Sequence, residues 1–156
     1  MDTVLERPRW RFTLDYRFSK RFIYGLEYNP AANELNPIRA TWDLNPEKKS
    51  SPFVSLGTSS DRIGSRKSTR AYYLTCAKSL PHTALAPYMS INYSEQDRGF
   101  NFPFGANYQL DRHWGLLPMY DGHGSHLMLN YQQKDYWISA GWIWLRRAGI
   151  SVGYGF

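Results

Sequence analysis

Long hydrophobic runs are missing from this sequence of 156 residues. A bilayer-spanning helix needs about 20 consecutive, predominantly apolar residues, whereas the mean hydropathy of the chain is -0.56. The lack of such runs excludes a helical membrane protein. It does not exclude a membrane β-barrel, because only alternate residues of each barrel strand face lipid and the remaining half is polar.

Cysteine is nearly absent as well. The single thiol, Cys76, excludes an intrachain disulfide and a thiol cluster for a metal, and we expect neither a metal nor a cofactor. The first residues, Met1 to Pro8, lack the apolar core of a secretory signal peptide. An exported protein needs such a signal. We therefore expect that this chain is exported and that its signal peptide has been removed.

Aromatic residues, by contrast, are abundant, with 12 Tyr, 8 Phe and 6 Trp making up 17% of the chain. Alanine is scarce and no strong helix-forming run occurs, so the composition favours β-strands. The formal net charge of +6 is compatible with nucleic acid, an anionic membrane surface or acidic partners, and charge alone does not choose among them.

The dominant pattern is an alternation of apolar and polar residues with a period of two, which sends successive side chains to opposite faces of a strand. Eleven segments show it: 10–18, 22–28, 38–44, 52–59, 71–78, 85–93, 100–110, 114–120, 126–131, 136–144 and 148–156. Bacterial single-chain barrels have an even number of strands. The pattern therefore predicts ten to twelve strands, in a single domain covering residues 1–156.

The composition of the polar faces indicates whether the apolar side chains point into the barrel or away from it. In segment 148–156, Gly149, Ser151 and Gly153 alternate with Ile150 and Val152. A soluble barrel would have to pack the many Tyr and Trp side chains into one small interior and show Gly, Ser and Asn to water. An outer-membrane barrel has apolar groups outside and small or polar groups inside. The sequence predicts an all-β fold, a transmembrane antiparallel up-and-down β-barrel.

The last strand carries a family resemblance. Residues 148–156 alternate regularly and end in Tyr154-Gly155-Phe156, which resembles the C-terminal signal of bacterial outer-membrane β-barrel proteins. The resemblance covers about ten residues, in line with the length of one transmembrane strand. It implies that Tyr154 and Phe156 form an assembly signal read by the barrel-assembly machinery.

Charged residues concentrate on the predicted lumen face of the first three segments, with three basic and three acidic groups. They are Arg11, Asp15, Arg17, Glu27, Arg39 and Asp43. One interpretation is an internal salt-bridge network that fixes the strand register. The other is a polar constriction that selects small solutes.

A basic segment, 61–70, is predicted to be an outer loop. Its four cations, Arg62, Arg66, Lys67 and Arg70, suit the phosphates of lipopolysaccharide, and the alternative is an ordinary solvated loop. Segments 29–36 and 95–99 are predicted to be the other long, extracellular connections. We expect no nucleic-acid partner.

The segment from Asp121 to His126 contains His123 and Ser125. His-x-Ser resembles the dyad of outer-membrane phospholipases and lipid A deacylases, in which a His acts as general base for a Ser nucleophile. Those families need a third group to orient the His, and Asp121 is a poor substitute. A plain loop is favoured, and we expect no metal site at His123 and His126.

These observations lead to an expectation of function. The chain is expected to be a non-enzymatic component of the outer membrane of a Gram-negative-type bacterium, acting as a narrow, porin-like passive channel or as a structural protein. Its expected partners are membrane lipids and lipopolysaccharide, and homo-oligomerisation is left open. The alternatives are a lipid-modifying hydrolase at the outer rim and a soluble small-ligand-binding β-barrel.

Overall fold

The computed structural model describes residues 10–30, 33–61 and 65–155. These residues form twelve antiparallel strands in one sheet and no helix. The strands are β1 (Phe12–Arg17), β2 (Phe22–Asn29), β3 (Glu34–Asn45), β4 (Phe53–Ser60), β5 (Arg70–Ala77), β6 (Leu85–Ser94), β7 (Gly99–Asn101), β8 (Phe104–Gln109), β9 (Trp114–Tyr120), β10 (Ser125–Gln132), β11 (Tyr136–Ile143) and β12 (Arg147–Tyr154). Within the described part of the chain, no helix is long and apolar enough to cross a membrane.

The strands follow one another in chain order, and β7 and β8 both pair with β6. The break between them contains Pro103, which has no N–H group to donate to the ladder. The Pro103 carbonyl still accepts a hydrogen bond from the Ser90 N–H at 2.7 Å. The sheet therefore has eleven positions, one for each segment of the sequence pattern.

The predicted all-β antiparallel architecture is confirmed. The sheet is not closed, because β1 and β12 are its two edges and the described residues contain no pairing between them. By contact density the chain divides into two units: unit 1 consists of Met1–Thr75 and Ile91–Asn101, and unit 2 of Cys76–Ser90 and Phe102–Phe156. The single domain expected from chain length stays a prediction.

One predicted connection is wrong. Segment 29–36 was expected to be a long loop, but β2 continues to Asn29 and β3 already starts at Glu34. Pro37 is the reason that a loop is predicted there from the sequence, since proline disfavours positions in a hydrogen-bonded strand ladder. The structure accommodates Pro37 at a β-bulge opposite the stretch from Gly25 to Glu27, where the register shifts.

Polarity is inverted relative to a water-soluble fold. Ten buried residues are polar or charged, namely Glu27, Asn29, Asn36, Ser55, Ser60, Asp61, Ser65, Ser90, Ser94 and Ser139, and Ala71 is the buried hydrophobic residue of the described part. Large apolar side chains lie on the exposed face, among them Leu14, Met89 and Ile150. The alternation along β10 shows the rule, since Leu127 and Leu129 are exposed and Met128 is half-buried. The polar face of the sheet is the more enclosed one.

Trp144 lies outside the strand in which the alternation placed it. The strand β11 ends at Ile143, and Trp144 and Leu145 both adopt positive φ angles of 52° in the turn to β12. Such angles suit tight hairpin turns but are costly for residues other than glycine. The Trp144 indole compensates by packing over Gly124 and by a hydrogen bond described below.

Candidate functional site

The charged set of the first three strands forms an ion pair that spans three strands. Arg39 Nε on β3 lies 2.8 Å from Asp15 Oδ1 on β1. Gly25 of β2 stands between them, in register with both. A β-carbon at Gly25 would collide with the Asp15 carboxylate. The glycine therefore provides the space in which the ion pair forms.

A second pair lies next to the first. Arg11 Nε is 3.4 Å from Glu27 Oε1, and Glu27 is only 4% exposed. Glu27 Oε2 is buried without a hydrogen-bond partner among the described residues. Arg17 is exposed and Asp43 half-buried, and no ion pair of either is found in residues 10–30, 33–61 and 65–155. The structure thus joins four of the six predicted charges in two pairs.

Arg70, predicted to be a loop cation, is the first residue of β5. Its guanidinium donates to Asn36 Oδ1 at 3.0 Å and to the Ile38 carbonyl at 3.2 Å. Asn36 Nδ2 in turn donates to Ser60 Oγ at 3.0 Å. Arg70 is engaged in this network because the buried amide of Asn36 requires partners.

The other basic residues of the predicted lipopolysaccharide-binding loop have different positions. Arg62 lies outside the described residues. Arg66 and Lys67 are exposed in the connection between β4 and β5, and the Arg66 N–H donates to Gln96 Oε1 at 2.9 Å. Among the described cations of this segment, Arg66 and Lys67 are the exposed ones.

Asp61 is a buried residue that holds the connection between β4 and β5 in place. It is 2% exposed, and its Oδ2 accepts hydrogen bonds from Ser94 Oγ at 2.7 Å and from the Gln96 N–H at 3.1 Å. This role was not predicted from the sequence, because nothing in the pattern distinguishes a buried loop aspartate from a solvated one. Two long connections of unit 1 are joined at Asp61.

Asp121 organises one end of unit 2. Its Oδ1 accepts the backbone N–H groups of His123 and Gly124 at 2.8 and 2.7 Å. Its Oδ2 lies 2.8 Å from His126 Nε2 and accepts the Trp144 indole N–H at 3.0 Å. Burial tends to raise the pKa of Asp121, but the hydrogen bonds from Trp144, Gly124, His123 and His126 together hold this pKa below its usual value.

The predicted His123 and Ser125 pair is arranged differently from a hydrolase triad. Ser125 is exposed at the start of β10, on the face that carries Leu127. The histidine that Asp121 holds is His126, which lies on the opposite face. The orienting carboxylate is thus bound to the neighbouring histidine. Among the described residues, no group of three or more His, Cys, Asp or Glu is placed to hold a metal ion.

Unit 2 also contains a polar basin, which we define as the two adjoining cavities at the end of the sheet where β8 turns into β9 and β10 into β11. Their volumes are about 530 and 290 Å³. Both are lined by Gln109, His113 and Gln132. Arg112, Gln133 and Lys134 complete the larger one, and Asn107, Gly115, Asn130, Tyr131, Trp137 and Ile138 the smaller one. From the sequence, these connections are predicted only to be turns.

The turn beside the polar basin is rigidly held. Asp111 Oδ1 accepts the N–H groups of His113 and Trp114 at 2.7 and 2.9 Å. These two backbone hydrogen bonds lower the pKa of Asp111 below its usual value. The His113 ring Nδ1 donates to the Gln132 carbonyl at 3.0 Å, which fixes the ring against the neighbouring turn.

Of the two aromatic residues of the predicted C-terminal signal, one lies within the described residues. Tyr154 ends β12, pairs in register with Tyr136 and is exposed, whereas Phe156 lies outside the described residues. In comparisons with known proteins, no family model, no curated protein and no solved structure matches this chain.

Proposed function

We propose that this chain is an integral β-barrel protein of the outer membrane of a Gram-negative-type bacterium, whose polar face lines a narrow passive channel. The inverted polarity of the sheet carries the proposal. Glu27, Asn36 and Ser55 are buried on the enclosed face, while Ile150 is 77% exposed and Val152 is 67% exposed on the other face. Lipid is the solvent that matches such an outer surface.

The size of the exposed apolar surface argues against water as that solvent. Removing one large apolar side chain from water is worth roughly 1.5–3 kcal/mol. Every strand from β1 to β6 leaves such side chains exposed, as Leu14, Leu26, Trp42, Leu56, Leu74 and Ile91 illustrate. A water-soluble fold would have buried them against a second layer, and the described residues contain only the one sheet.

Aromatic side chains mark two levels of the exposed face in unit 2. At one end Trp114 pairs with Tyr131, whose ring centroid is 6.0 Å from that of Tyr136. At the other end of the same strands, Phe104 packs on Tyr120 at a centroid distance of 5.5 Å. Trp114 and Tyr120 are six residues apart on β9, about 20 Å at roughly 3.4 Å per residue. Aromatic residues at both ends of the strands match the aromatic girdles that flank the apolar band of outer-membrane barrels.

A membrane environment places one further requirement on the sheet. Lipid offers no hydrogen bonds to unpaired N–H and C=O groups, so spanning sheets have no free edge. The proposed barrel therefore requires that the edge strands β1 and β12 acquire hydrogen-bonding partners in the bilayer. Exposed Arg66 and Lys67 would then lie at a membrane surface, where lipopolysaccharide phosphates are their proposed partners.

The test is refolding in lipid. The protein, unfolded in urea and diluted into detergent micelles or phospholipid vesicles, should give a β-rich species that migrates differently on gels before and after boiling. Planar bilayers containing it should show discrete conductance steps. A monodisperse, folded protein in detergent-free buffer would overturn the membrane assignment, and a heat-modifiable but electrically silent protein would overturn the channel.

A further inference from the structure

We propose that the polar basin of unit 2 is a binding site for a small solute that carries a carboxylate or phosphate group. The inference deepens the proposed function by naming a solute class, and its biological meaning rests on that function, because the basin lies on the polar face proposed to line the channel.

The charge of the basin has one sign. Arg112 and Lys134 line the larger cavity, and none of the Asp and Glu residues that the structure describes lines either cavity. The carboxylate of the adjacent turn, Asp111, has its Oδ1 bonded to two backbone N–H groups. A concave surface with cations and without lining carboxylates attracts anions.

One amide side chain of the smaller cavity is oriented with its donor group available. Ser139 donates to Asn130 Oδ1, so the NH₂ group is the end of Asn130 that is left for a ligand. Asn107 lies over Gly115, whose missing side chain makes room for it: a β-carbon there would be 3.0 Å from Asn107 Oδ1. Amide and cationic donors together form the short, charge-assisted hydrogen bonds that carboxylate and phosphate oxygens accept.

The shape fits a molecule rather than a single ion. The smaller cavity, at about 290 Å³, is at the lower limit of small-molecule sites. One wall is the Trp137 indole, which covers Gly153 so closely that a β-carbon on the glycine would overlap the ring. A flat aromatic wall beside polar groups suits the body of a ligand whose anionic group meets the cations.

The experiment uses the full chain refolded in a zwitterionic detergent, with calorimetric titration at fixed ionic strength. The probes are glucose 6-phosphate, gluconate and, as their uncharged match, glucose. We expect at least one anionic probe to bind about tenfold or more tightly than glucose. The tighter of the two anionic probes identifies phosphate or carboxylate as the preferred group.

The variants test whether the basin is responsible. Arg112→Gln combined with Lys134→Gln should weaken binding of the anionic probe by about tenfold or more, whereas Arg146→Gln, an exposed cation of the turn between β11 and β12, should leave it unchanged. Equal binding of glucose and the anions, or an unaffected double variant, would overturn the site. So would an absence of binding by protein that is heat-modifiable and conducts. Binding by protein that neither inserts nor conducts would instead overturn the proposed function and retain the site.

Discussion

At the scale of single residues, the enclosed face is held together by polar groups that each depend on a precise neighbour. Arg39 reaches Asp15 only across Gly25, and Asp121 joins two connections through both of its oxygens. Buried polar groups of this kind are costly when one partner is lost, since the remaining group stays desolvated. Substitutions at these positions therefore report on the arrangement of the polar face.

Gly25→Ala should destabilise the protein by about 1–3 kcal/mol, the usual cost of overpacking. The new methyl group would collide with the Asp15 carboxylate and lie 2.5 Å from the Leu14 carbonyl oxygen, so the ion pair with Arg39 would have to open. Urea unfolding in lipid vesicles measures the change. Gly155→Ala is the matched control, because a β-carbon at Gly155 meets nothing within 4 Å; equal losses in both variants would contradict the proposed role of Gly25.

Asp121→Asn should remove an acid-dependent part of the stability. Because the folded-state pKa of Asp121 lies below its usual value of 3.8, ionised Asp121 stabilises the fold above that value, and this contribution is lost as the pH falls through the lower, folded pKa. The free energy of unfolding of the wild type should therefore fall more steeply below about pH 4 than that of the variant.

Trp144→Phe provides the comparison for this experiment. It removes one of the hydrogen bonds that lower the Asp121 pKa, so its acid dependence should be intermediate. Parallel pH profiles of the wild type and Asp121→Asn would show that Asp121 makes no such contribution.

At the scale of the strands, the period-two pattern predicts how many strands there are and roughly where they lie. It fails at two strand ends, where side-chain contacts rather than the alternation decide the structure. The eleven segments correspond to the eleven sheet positions. The start of β3 was missed because a β-bulge accommodates Pro37. The turn position of Trp144 was missed because Asp121, more than twenty residues away, holds its indole. Both features depend on contacts between residues that are far apart in the sequence, which a local pattern does not contain.

The candidate sites were harder to predict than the strands. Parity placed Arg11, Glu27 and Arg39 on the polar face, but which charges pair depends on the register between strands and on the gap at Gly25. Asn36 and Ser60 gave no signal, since isolated Asn and Ser residues are common in loops. The polar basin depends on two turns that only the sheet order brings together.

The two faces of β12 offer a direct test of which solvent the sheet meets. Ile150→Lys places a charge on the exposed apolar face, and at the bilayer midplane this should cost about 2–4 kcal/mol of folding stability in vesicles. Ser151→Lys, the neighbouring position on the opposite face, should cost much less. A larger loss for Ser151→Lys would mean that the Gly and Ser face is the packed core, as in a soluble barrel.

At the scale of the whole molecule, the ion pairs of unit 1 and the proposed passage predict how the protein should discriminate between ions. Arg39→Gln keeps a side chain of similar length but leaves the Asp15 carboxylate without its cation. If the polar face lines the conducting path, the uncompensated negative charge should raise the preference for cations, because fixed charges in a narrow pore attract ions of opposite sign.

The reversal potential of bilayers in a potassium chloride gradient measures this preference. It should shift toward the potassium equilibrium value in Arg39→Gln, and the shift should shrink as salt concentration rises and screens the charge. Arg21→Gln, which removes an exposed cation in the turn between β1 and β2, is the control and should leave the reversal potential near that of the wild type. Conductance with identical selectivity in all three proteins would mean that ions pass elsewhere, and that Arg39 and Asp15 serve only to hold β1 and β3 in place.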